Sequence, residues 1–70
     1  MDRSLIYAHG KALALLAAVL HRSGVVPAAE LGNLMAGLSN IEDDLEQSAI
    51  LAIWSDLIKD AANLSDDLVP

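Results

Sequence analysis

Residues 41–64 read IEDDLEQSAILAIWSDLIKDAANL, and the six apolar residues at their centre, Ala49-Ile50-Leu51-Ala52-Ile53-Trp54, leave no side of a helical turn for water. At about 100° per residue, Ile41, Leu45, Ala49 and Ala52 lie in one stripe with carboxylates around the rest. Further along, Ile50, Ile53, Trp54, Leu57, Ile58, Ala61 and Leu64 fall on roughly the opposite side, and Asp56, Lys59 and Asn63 take the side that was apolar before. A helix whose apolar face changes sides midway must bury each half against something different. This predicts a partner surface.

Working outward, the remainder of the chain also reads as helix. The first 23 residues carry Leu5, Ala8, Ala12, Leu13, Leu15, Leu16, Val19 and Leu20, which cover more than half of a helix circumference. Gly24 is placed to end that helix, with His21 and Arg22 in its last turn near the carbonyl dipole. Gly10, Ala14 and Ala18 recur every four residues and form a ridge on which a second helix can approach closely. Pro27 fits the start of a new helix, where its missing N–H costs nothing. Leu31, Leu34, Met35 and Leu38 then repeat at helical spacing.

Ser39-Asn40-Ile41-Glu42 has the form of a capping box, with Ser39 as N-cap and Glu42 reaching back. The sequence therefore predicts helices over about 4–23, 27–38 and 40–63, with a frayed tail at 65–70. A single long helix over 27–63 is the alternative, because the Leu31–Leu38 stripe continues almost in phase through Ile41 and Leu45. The expected fold class is all-α: one small three-helix domain, or a helical hairpin with a long second arm, assembling as a homodimeric helical bundle.

Composition supports this. The chain has 70 residues, 54% of them hydrophobic, with 13 Leu, 12 Ala, one Trp, one Tyr and neither Phe nor Cys. A chain this short ordinarily needs disulfides, metal or oligomerisation to be stable. The absence of cysteine removes the first. The apolar surface exceeds what a 70-residue monomer easily hides, which favours self-association. Its centre is expected at Ile50, Leu51, Trp54, Leu57, Ile58 and Ala61, with Trp54 as anchor, since Trp is enriched among interface hot spots.

The net charge of −6 is unevenly spread. Residues 1–29 set Arg3, Lys11 and Arg22 against Asp2, a local +2, while residues 30–70 set nine carboxylates against Lys59, a local −8. Such a chain is repelled by phosphate backbones and anionic lipid, so nucleic-acid and membrane partners are disfavoured. The apolar run Ala12–Leu20 falls far short of the ~20 residues that span a bilayer, and the chain reads as cytoplasmic.

Catalytic signatures are missing. The sequence contains no Gly-rich phosphate loop, no Gly-x-Ser-x-Gly elbow and no His-Glu-x-x-His. His9 and His21 point roughly 120° apart on one helix and cannot chelate one ion together. Glu42, Asp43, Asp44 and Glu46 lack the spacing of a calcium loop and suit a dipole-favoured first turn, or an acidic docking surface. No cofactor, metal site or enzymatic activity is expected. The sequence reads as a non-enzymatic interaction module: a small regulator, adaptor or complex subunit, acting through self-association and in some settings on a second protein. Two alternatives are an acidic inhibitor from a mobile element that masks a basic nucleic-acid-binding surface, and a small helical RNA-binding dimer.

Overall fold

The chain's first helical stop is written by glycine. In the computed structural model, which describes residues 2–68, α1 runs Arg3–Arg22 and closes at Gly24, whose φ of 71° is the left-handed conformation that glycine adopts without strain. The amide of Val25 donates to the Leu20 carbonyl (3.1 Å) and that of Gly24 to the His21 carbonyl (3.2 Å). These are the two bonds of a Schellman motif. At the other end, the Asp2 carboxylate accepts from the Ser4 amide (3.0 Å) and caps α1.

Three more helices follow among the described residues: α2 (Ala28–Ile41), α3 (Leu45–Lys59) and α4 (Ala61–Leu68). The fold is all-α, as the sequence predicts, but its boundaries differ from the predicted three helices. Pro27 is the N-cap of α2 and not its first residue. The expected capping box at Ser39 is absent, because Ser39 lies inside α2 and is buried. The helix breaks three residues later, and the N-cap of α3 is Asp44, whose Oδ1 accepts from the Gln47 amide (2.9 Å). The predicted third helix also turns at Asp60, so residues 61–68 form a helix of their own where fraying was expected. Residues 69–70 lie outside the described residues. Asp44→Ala should cost about 0.5–2 kcal/mol by removing the cap. A denaturation midpoint unchanged from wild type would refute Asp44 as the start of α3.

Ser39 stays helical because its hydroxyl has a better partner than its own helix start. Its Oγ donates to the Ser48 carbonyl on α3 (2.8 Å), and Ser48 Oγ returns the bond to the Ser39 carbonyl (2.8 Å). One helical stretch further along the same seam, Ser55 Oγ donates to the Gly32 carbonyl (2.8 Å). Small side chains bring the two antiparallel backbones close enough for hydroxyls to bridge them, and each buried hydroxyl is satisfied.

α1 meets α3 on another flank. Gly10 faces Trp54 and Leu57, and the Trp54 Nε1–H donates to the Ile6 carbonyl (2.8 Å). Positions on the two helices advance together, so α1 runs parallel to α3. The α3 residues that meet α2 (Ser48, Ser55, Lys59) and those that meet α1 (Ile50, Ile53, Trp54, Leu57) point to nearly opposite sides of the helix. α3 therefore sits between α1 and α2, which touch each other only sparingly, while α4 packs mainly on α1. The result is a flattened layer of 39 × 24 × 12 Å.

The core lies along the α1 contacts. Ala14, Ala17, Ala18, Ala28, Ala61 and Ile58 are its buried apolar residues. The predicted small-residue ridge of Gly10, Ala14 and Ala18 is thus an intramolecular contact, buried along its length. A core made mostly of methyl groups hides little area. The chain exposes 4679 Å², against about 4,200 Å² for a compact monomer of its mass.

Candidate interaction surface

The residues expected at a partner surface divide into two sets. Ile58 and Ala61 are enclosed by the chain's own helices, at 2% and 0% exposure. Ile50, Leu51, Trp54 and Leu57 remain half-buried. Of these, Ile50, Leu51 and Trp54 line an open apolar hollow together with Gln47. Trp54 is tied into the protomer by its bond to Ile6, so its ring serves the α1–α3 contact as well as lining that hollow.

The larger apolar exposure lies on the two outer helices. On α1, Leu5, Leu15, Leu16 and Val19 are exposed, Leu16 to 61%. On α2, Leu34 and Ile41 are 65% and 76% exposed, Leu38 is exposed beside them, and Leu45 just past the corner reaches 86%. α1 is apolar over more than half its girth, and only one arc of it can face α3 and α4. The arc chosen is the one with the smallest side chains, because those let the backbones approach. The larger leucines are left outside. The signal was present in the sequence as the wide apolar arc of α1, but the arc alone does not say which part is inward.

The acidic residues gather at the α2–α3 corner. Glu42 Oε1 accepts from the Asp44 amide (3.1 Å), and Asp44 caps α3, so both are engaged in shaping the turn. Asp43 is exposed. Glu46 lines a second hollow with Arg3, Ile6, Tyr7 and Ile50, between the start of α1 and the start of α3. Among the described residues, no group of three or more His, Asp or Glu is arranged to hold a metal ion. His21 has a structural partner: its Nδ1 accepts from the Ala28 amide (3.1 Å), joining the end of α1 to the first turn of α2. A further property concerns α1 as a whole. Its 20 residues are long and apolar enough to cross a membrane by length and composition.

Compared with models of known protein families, with curated proteins and with solved structures, the chain matches none of them.

Proposed function

We propose that this chain is a non-enzymatic helical interaction module, a small regulator, adaptor or complex subunit, that works as a homodimer through helix packing. The observation that carries the reading is the pairing of an alanine core with exposed leucines. Ala14, Ala17, Ala18, Ala28 and Ala61 fill the inside, while Leu5, Leu15, Leu16, Val19, Leu34, Leu38, Ile41 and Leu45 stand in water. Covering a large apolar side chain contributes about 1.5–3 kcal/mol, and contiguous exposed apolar surface marks an association site. A second copy is the simplest source of cover, and its gain would make up for a small core. Half-buried Leu51 and Trp54 belong to the same proposed surface.

The test is sedimentation and light scattering across a wide concentration range. A dimer that dissociates only on strong dilution is expected, with a denaturation midpoint that rises with concentration. A folded, non-aggregating monomer at tens of micromolar would overturn the proposal.

A further inference from the structure

The two broad sides of the layer differ in chemistry. The α3 residues that meet α1 and those that meet α2 point nearly opposite ways, and Leu51 and Ile58 fall in the arc between them. All three helices are right-handed, with α1 parallel and α2 antiparallel to α3. At about 100° per residue this turns Leu13 and Leu16 of α1, and Leu31 and Leu38 of α2, to the same side as that arc. Leu13 and Leu31 pack against the core that includes Ile58. Leu16 and Leu38 stay exposed, and Leu51 lines the open hollow beside Trp54. α4 lies on the other side, where Leu64 and Leu68 line a hollow with Lys11, Ala14 and Leu15. Among the described residues, no helix covers the leucine side.

The chain's four cations all avoid that side. Lys11 and Arg22 share the α4 side of α1. Arg3 lines the hollow with Tyr7 and Glu46, and Lys59 lies over Gly32 in the α2–α3 contact. On α3, Asp56 points about 150° away from Leu51 and Ile58, and Glu30 points off the outer edge of α2. A helix that lies on lipid borders its apolar face with lysine and arginine, and this face has no such border. A face without charge can instead meet its own copy with no like-charge contact. Its size also suits a copy. The layer's outline of 39 × 24 Å encloses up to about 900 Å², against about 800 Å² per partner in a stable interface.

We infer that two copies stack through this uncharged broad side, leucine face on leucine face, with Leu51 and Trp54 near the middle of the contact. This rests on the self-association reading and specifies which face carries it. Domains are ordinarily built from two packed layers around one core, and α1, α3 and α2 supply one. The second copy is the other. A two-fold axis in the plane between the layers lays the same face of each on its mate, which makes the contact isologous and closes the assembly at two. α4 and the cations then lie on the outer surfaces, in water.

The cysteine-free chain allows the contact to be mapped by thiol reactivity. In Leu16→Cys, Leu38→Cys and Leu51→Cys protein, alkylation by N-ethylmaleimide should slow about tenfold or more as rising concentration drives dimerisation. Asn40→Cys and Ala49→Cys, each about 160° around its helix from Leu38 or Leu51, should react at one rate throughout. In protein shown by sedimentation to be dimeric, protection of the second pair, or of none of the first three, would overturn this inference and leave the dimer reading standing. A monomer at every concentration would remove both. Protection of the first three by phosphatidylcholine vesicles, and not by rising protein concentration, would give the face to lipid and also overturn it. A charge placed on the face provides a second measurement. Leu38→Lys should self-associate about tenfold or more weakly than wild type, and Asn40→Lys as tightly as wild type, both with wild-type helicity by circular dichroism. Undiminished association of a folded Leu38→Lys protein would overturn the inference.

Discussion

Replacing Trp54 with Ala is expected to destabilise the protomer by about 3 kcal/mol, near the low end for truncation of a large aromatic side chain because the ring is already partly exposed. The ring fills the space above Gly10, where an added Cβ would come within 2.7 Å of Trp54 Cδ1. Its Nε1–H holds the Ile6 carbonyl at 2.8 Å. Truncation therefore opens the α1–α3 contact at its widest side chain and removes a hydrogen bond as well. Trp54→Phe keeps most of the apolar contact and loses only the bond, about 1 kcal/mol. Urea unfolding followed by circular dichroism at several protein concentrations separates the two parts of the effect, since loss of assembly changes the concentration dependence and loss of protomer packing does not. A Trp54→Ala protein with the wild-type midpoint in dilute solution would show that the ring does not support the protomer.

Gly32→Ala and Gly37→Ala are expected to move stability in opposite directions although both lie in α2. A Cβ at Gly32 would press on the Lys59 side chain and come within 3.2 Å of the Lys59 nitrogen and the Ser55 carbonyl oxygen, which are backbone and cannot rotate away. The helices would have to separate, and with them the hydroxyl bridge from Ser55 to the Gly32 carbonyl. Overpacking of this kind costs typically about 1–3 kcal/mol against a gain of about 1 kcal/mol in helix propensity, leaving a net loss of up to about 2 kcal/mol. A Cβ at Gly37 would meet nothing within 4 Å, so the propensity gain of about 1 kcal/mol stands alone there. Parallel chemical denaturation of the two variants checks the contrast. Shifts of the same sign would mean that α2 and α3 are not in close backbone contact at Gly32.

Much of the helical framework was legible along the chain. Leucine and alanine content, the glycine stop at Gly24 and a helix start at Pro27 act within a few residues of themselves; the stop is where the sequence places it, and the start lies one residue later, with Pro27 as N-cap. The α2–α3 break was legible only as a region. Ser39-x-x-Glu42 and Asp44-x-x-Gln47 both satisfy the pattern of a helix start, and nothing local ranks one above the other. The candidate surface was legible as a surplus of apolar residues, and Leu51 and Trp54, expected at a partner surface, are half-buried in the chain itself. The outward-facing leucines of α1 and α2 were not singled out, because a helix apolar over most of its girth does not show which arc is inward.

The sequence by itself determined that the chain is all-helical, that its first helix ends at Gly24, and that basic and acidic charge fall in different halves. These follow from backbone propensity, capping and composition, which are properties of short segments. The tertiary structure alone decided that Ser39 continues α2, because the competing partner for its hydroxyl is the carbonyl of Ser48, nine residues away on another helix. It also decided that α1 turns Gly10, Ala14, Ala17 and Ala18 inward and leaves Leu5, Leu15 and Leu16 outside. Two helices gain most where their backbones come closest, and that choice depends on the surface of α3 and α4 as much as on α1 itself.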